Sequence, residues 1–120
     1  MPKDTACTNT EIAEKLEELP GWLVEDGTLI RRFETDGWPT TLMLVNMIGY
    51  FAEAADHHPD LAVSWSKVAV KLSTHSAGGI TEKDFTLARL LDHWALWRPD
   101  AGGALAGTRR PFVKSGSGES

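Results

Sequence analysis

The spacing of apolar residues along the chain predicts three helices and four strands. Apolar positions that recur every three or four residues are typical of a helix with one buried face, and strict alternation is typical of a half-buried strand. Val68, Val70 and Leu72, for example, alternate with small or polar residues. Helices are predicted at residues 11–19, about 38–56 and 82–97, and strands at 22–25, 28–34, 61–64 and 68–74.

Turn and capping residues separate these elements. Thr10 is the predicted N-cap of the first helix, which Pro20-Gly21 ends. Asp26-Gly27 predicts a tight hairpin, because glycine accepts a positive φ. Thr81-Glu82-Lys83-Asp84 resembles a capping box with Asp in the place of Glu. The order of elements predicts an α+β two-layer sandwich, in which helices pack on a four-stranded antiparallel sheet (α-ββαββα).

Composition narrows the class of protein. The chain has 120 residues, which argues for one domain, and its net charge of −5 argues against a nucleic-acid surface. The single cysteine, Cys7, cannot form an internal disulfide, and we expect a cytoplasmic protein. No apolar run approaches the roughly 20 residues of a membrane span, so no membrane contact is expected. The domain is predicted at 10–98, between a flexible N-terminus at 1–9 and a flexible Gly/Ser-rich tail at 99–120.

The richest chemistry lies around His57-His58-Pro59. Histidine can carry protons both ways near neutral pH. Glu53 lies four residues before His57, so the two side chains are expected to meet on one helical face. Pro59 forces His58 out of helical geometry, and a third histidine, His75, precedes a glycine-rich turn. These residues predict a site with several imidazoles.

Several chemistries could use such a cluster. Three histidines with water are a common zinc set, although adjacent rings diverge and the chain has no HExxH motif. Ser76 beside His75 lacks the G-x-S-x-G elbow of a serine hydrolase. A structural role, with His57 capping a helix and His75 binding the local backbone, is a further alternative. The cluster favours general acid–base catalysis on a small organic substrate, without metal, cofactor or covalent intermediate.

Five segments of the chain, with the upstream Leu19-Pro20-Gly21-Trp22, carry a family resemblance. They are Ala52–Pro59, Trp65–Val68, Leu72–His75, Gly79–Asp84 and Leu87-Ala88. Over about residues 10–97 the chain resembles pterin-4a-carbinolamine dehydratase. The resemblance implies a ββαββα fold with a preceding helix, and dimers or tetramers built from dimers. It also implies the loss of water from a 4a-hydroxytetrahydropterin to give the quinonoid dihydropterin, which recycles a tetrahydrobiopterin-type cofactor of aromatic hydroxylases.

The resemblance implies roles for individual residues. His57 and His58 would be the principal acid–base pair, and His75 would bind or protonate the leaving hydroxyl. The implied substrate contacts are Glu53, which would orient His57 or the pterin, Pro59, which would shape the pocket, Trp22 as an aromatic wall, and Lys83. An aromatic residue at the start of a strand is also typical of a core. Lys83 stands where the family's animal members have arginine, which keeps the charge but loses the two-pronged donor.

A second hypothesis is a partner-binding protein of the same fold. Relatives of this fold stabilise a transcription-factor dimer or help to assemble RuBisCO. A protein with that role alone does not need the full histidine set, which this chain keeps. The sequence therefore favours catalysis, with a protein partner as the alternative.

Overall fold

The computed structural model describes residues 4–114 and confirms the predicted α+β fold. The elements are α1 (Asn9–Leu16), β1 (Leu23–Glu25), β2 (Thr28–Glu34), α2 (Trp38–Ala55), β3 (Asp60–Ser64), β4 (Lys67–Leu72) and α3 (Glu82–Ala95). A single 3₁₀ turn, His75–Ala77, lies between β4 and α3. The strands form an antiparallel sheet in the order β1-β2-β4-β3, so β2 and β4 are central.

The hydrophobic core lies between one face of this sheet and the helices. Val68, Val70 and Leu72 are fully buried, as their alternation predicts. Ile48 of α2 and Phe85 of α3 are fully buried in the same core region. The loop after β4 and the first turn of α3 are therefore attached to the best-packed part of the molecule.

Capping boxes begin α1 and α3. The box predicted at Thr81 and Asp84 is confirmed. At α1 the cap is Thr8 and not Thr10: the Thr8 N–H donates to Glu11 Oε1 at 2.7 Å, and the Glu11 N–H donates to Thr8 Oγ1 at 3.1 Å. An alanine stands three residues after Thr10 and offers no side-chain acceptor, so the box forms two residues earlier.

A segment after Pro99 returns to the sheet. The Lys114 N–H donates to the Glu34 carbonyl at 2.8 Å, and the Asp36 N–H donates to the Phe112 carbonyl at 3.0 Å. Val113, between them, is 3% exposed. β1 pairs only with the first residues of β2, which leaves this edge of β2 open beyond them. Residues 112–114 are thus packed, where the sequence predicts a flexible tail; residues 115–120 lie outside the described part.

No helix within residues 4–114 is both long and apolar enough to cross a lipid bilayer.

Candidate active site

Helix α2 ends in a Schellman motif directly before the histidines. Asp56 has a left-handed backbone with φ of +52°. The Asp56 N–H donates to the Glu53 carbonyl at 3.2 Å, and the His57 N–H donates to the Ala52 carbonyl at 3.1 Å. Because the chain has left the helix before His57, the predicted pairing of Glu53 with His57 is wrong.

His57 is held instead by a buried carboxylate on α3. Its Nε2–H donates to Asp84 Oδ1 at 2.6 Å, and the two side chains are 13% and 0% exposed. A carboxylate only accepts hydrogen bonds, so the proton on this ring is assigned to Nε2. This arrangement leaves Nδ1 of His57 free to exchange a proton elsewhere.

The Asp84 carboxylate is itself fixed by two further donors. Its Oδ2 accepts from the Thr74 hydroxyl and from the Thr81 N–H, each at 2.9 Å. The Thr74 and Thr81 hydroxyls also lie 2.8 Å apart. Three donors on one fully buried carboxylate give a rigid support for His57, because hydrogen bonds to a charged group are the strong ones.

His58 has a carboxylate partner of its own, but at the surface. Its Nε2 lies 2.8 Å from Glu53 Oε1, and the side chains are 55% and 83% exposed. The two adjacent histidines therefore point to different partners, as Pro59 predicts. Exposure makes the His58 pair looser than the His57 pair, because water competes for both groups.

His75 begins the 3₁₀ turn and is exposed. It follows Thr74 directly, so the network around Asp84 fixes the backbone beside it. In the part of the chain that the structure covers, no hydrogen bond joins His75 to His57 or His58. Within the same residues, no three histidine, cysteine or acidic side chains converge as a metal site.

A cleft of about 310 Å³ opens beside His57. Its lining residues are Ala55, His57, Glu82, Lys83, Thr86, Leu87 and Leu90. Ala55, Leu87 and Leu90 thus give the cleft an apolar wall, and the other four lining residues supply polar groups. A largely apolar pocket with few polar groups is typical of a site for a small organic ligand.

The two charged residues of the cleft are both paired. Lys83 Nζ lies 2.9 Å from Asp4 Oδ2, and this hydrogen bond raises the pKa of Lys83 and lowers that of Asp4. Glu82 accepts from Lys15 Nζ at 2.6 Å and also from Arg89. The hydrogen bond from Lys15 is the main reason that the pKa of Glu82 falls to about 2.

Trp22 does not reach this cleft. Its side chain is 4% exposed in the core, its ring meets Phe33 edge to face, and its Nε1–H donates to Asp92 Oδ1 at 3.0 Å. Arg31 donates to the same carboxylate at 3.3 Å. Trp22 is therefore a core residue and not the aromatic wall that the resemblance implies. Its contact with Phe33 and its hydrogen bond to Asp92 hold the indole inside the protein. Pro59 is half-buried and does not line the cleft.

The sequence reasoning missed Asp84 as the partner of His57. It assigned Asp84 to the helix cap alone, and the structure gives that side chain both tasks. A signal was present, because Asp84 continues the stripe of Leu87, Ala88 and Leu91 that faces the core. An acidic residue in line with a core stripe must find partners inside the protein.

Comparison with known proteins shows which family the chain belongs to. The family model described as pterin 4 alpha carbinolamine dehydratase matches residues 5–94. A protein of Aquifex aeolicus named "Putative pterin-4-alpha-carbinolamine dehydratase" is 50% identical over 82 residues, which cover 68% of this chain and 83% of the relative. A Picosynechococcus protein of the same name is 46% identical, over 73% of this chain and 96% of the relative.

A solved structure also matches. The crystal structure of a transcriptional coactivator/pterin dehydratase from Brucella melitensis is 32% identical, with a TM-score of 0.70. The match covers 73% of this chain and 96% of that one. The match of the family model over residues 5–94 and the identity to these relatives show that this chain belongs to the pterin-4a-carbinolamine dehydratase family.

Proposed function

We propose that this protein removes water from 4a-hydroxytetrahydropterins, with His57 as a proton-transfer group in the cleft. Its family makes it a dehydratase of the hydro-lyase class. The single observation that supports the role of His57 is its fixed ring, held by the buried Asp84 at the mouth of a cleft of about 310 Å³.

The reaction needs two proton transfers. The C4a–O bond breaks as the leaving hydroxyl gains a proton, and N5 loses a proton as the C4a=N5 double bond forms, so that one water leaves. Neutral His57 with its proton on Nε2 can take a proton at Nδ1, and Asp84 stabilises the resulting imidazolium. Protonated His57 can equally give that proton to a leaving group, so the geometry allows either direction.

His58 and His75 are proposed as the other imidazoles of the reaction. His58 is tied to Glu53 at the surface, and His75 lies beside Thr74 of the Asp84 network. Lys83 is proposed to contact the pterin from the cleft wall. Trp22 is left out of this set, since its indole is buried away from the cleft.

An ultraviolet assay tests the proposal. The purified full chain is added to enzymatically generated 4a-hydroxytetrahydropterin, and the decay to quinonoid dihydropterin is followed against the uncatalysed rate. We expect clear acceleration by catalytic amounts of protein. A decay rate equal to the uncatalysed rate, with folded protein shown by circular dichroism, would overturn the proposal.

We also propose that the protein self-associates through the outer face of its helices. Met43 and Tyr50 of α2 are 58% and 71% exposed, and Trp94 of α3 and the nearby Trp97 are each 46% exposed. So many exposed large apolar residues are typical of an interaction surface. Sedimentation velocity should give a dimer or tetramer. A monomer at all concentrations would contradict this and would favour the alternative role of the face as a docking site for another protein.

A further inference from the structure

The chain before α1 crosses the loop that precedes α3. The Cys7 N–H donates to the Ile80 carbonyl at 2.8 Å, and the Ala6 methyl group faces Gly79. The next residue, Thr8, is fixed by its capping box. Two backbone-anchored residues therefore hold this segment in place, and Asp4 lies three residues before Cys7.

Asp4 is placed against the rim of the cleft. Its Oδ2 lies 2.9 Å from Lys83 Nζ and also accepts from the Ser76 hydroxyl at 3.4 Å. The Asp4 side chain is 27% exposed, whereas that of Lys83 is 54% exposed. Asp4 thus links Lys83 of the cleft wall to the turn that begins at His75.

Within residues 4–114, both charged side chains that line the cleft are paired. Lys83 is the one lysine or arginine among the described residues that line the cleft, and Asp4 neutralises it. Glu82 of the lining is matched by Lys15 and Arg89, which face it from outside. Glu53 and Asp56, close to His57 in the chain, add exposed carboxylates. An anionic ligand entering the cleft would meet paired or negative groups.

We propose that Asp4 determines the charge selectivity of the cleft, so that it takes pterins with uncharged side chains and disfavours those with anionic side chains. This inference rests on the proposed function, because it assumes that pterins bind in the His57 cleft. Asp4 acts through Lys83: when the carboxylate is present, the ammonium is occupied, and when it is removed, the ammonium can bind an anion.

Direct binding of two stable pterins tests the proposal without any turnover. Biopterin has a neutral side chain and pterin-6-carboxylate an anionic one, and the binding of each is followed by fluorescence titration at low salt. Asp4→Asn should raise the affinity for pterin-6-carboxylate relative to that for biopterin by about fivefold. This factor corresponds to the interaction energy of one exposed charge pair. The gain should shrink at high salt, because exposed charges are screened.

Two further variants complete the test. Lys83→Met combined with Asp4→Asn should abolish the gain, because the freed ammonium is then absent. Asp100→Asn, which removes an exposed charge on the loop after Pro99, should leave the ratio of the two affinities unchanged. An equal shift for both pterins, or no shift, in Asp4→Asn would overturn the inference while the dehydratase proposal stands. Absence of pterin binding to every variant and to the unaltered chain would overturn both.

Discussion

Replacing Asp84 with asparagine should uncouple His57 from its support while it leaves the fold intact. In the unaltered chain, Thr74 and Thr81 both donate to Oδ2 of Asp84. The amide oxygen of the asparagine can take the place of Oδ2 and accept both hydrogen bonds. The NH₂ group is then turned toward His57 Nε2, where a donor faces a donor. The ring must move its proton to Nδ1 or rotate away. In either case Nδ1 can no longer take a proton from the substrate in the proposed way.

The size of the effect follows from the contacts. The bond between His57 and Asp84 is a buried, charge-assisted bond of 2.6 Å, and such bonds contribute about 1.5–3 kcal/mol. The free energy of unfolding should therefore fall by about 1–3 kcal/mol, which a domain of this size tolerates. The value of kcat should fall about 10- to 100-fold, as when a group that orients a functional histidine is removed.

The assay compares Asp84→Asn with Asp92→Asn, a matched change on the same helix. Asp92 is half-buried, accepts from Trp22 and Arg31, and does not line the cleft. Both variants should lose stability in urea unfolding, but only Asp84→Asn should lose kcat. His57→Ala should lower kcat by a smaller factor in the Asp84→Asn protein than in the unaltered chain, because the two residues act as a unit. Equal loss of kcat in both asparagine variants, or none in Asp84→Asn, would refute the reasoning.

Three further substitutions test the structure through their effect on protein stability. Val113→Ala removes two methyl groups from a buried site and should lower the free energy of unfolding by about 1–2 kcal/mol in urea titration, whereas Leu105→Ala, which is 65% exposed, should not. The pKa of Glu82 falls from 4.5 to about 2 on folding, so its contribution is present above pH 4.5 and is lost as the pH falls toward 2. The Tm of Glu82→Gln should therefore fall less than the Tm of the unaltered chain as the pH is lowered from 4.5 to about 2. An equal fall in the two proteins would contradict the assignment. Glu53→Gln should leave the urea midpoint almost unchanged, since the pair with His58 is exposed, and a loss as large as that of Asp84→Asn would be inconsistent with the structure.

Periodicity and capping chemistry were sufficient to predict the fold. β2 spans the predicted residues 28–34, and α3 begins at the predicted box of Thr81. The Asp26-Gly27 turn directly precedes β2, and the capping box directly begins α3, so both features can be predicted from a few neighbouring residues. The start of α1 differs by two residues, because two threonines compete and Thr8 has Glu11 as its reciprocal partner.

The site was harder to predict, because its contacts are long-range. His57 and Asp84 are 27 residues apart, and the sequence offered Glu53 as the nearer carboxylate. His57 pairs with Asp84 and not with Glu53 because Asp56 adopts a positive φ, which is uncommon for a residue other than glycine. The pairing of Asp4 with Lys83, and the return of Val113 to β2, likewise depend on tertiary packing that spacing along the chain does not encode.

The most direct measurement of the central claim is the rate of 4a-hydroxytetrahydropterin dehydration by His57→Ala beside the unaltered chain. Positioned acid–base groups contribute about 10²- to 10⁴-fold to such rates, so kcat/KM of the variant should fall by at least about 100-fold. Leu105→Ala, an exposed change on the loop after Pro99 and away from the cleft, serves as the control for handling and folding. A His57→Ala variant that keeps the rate of the unaltered chain would contradict the account.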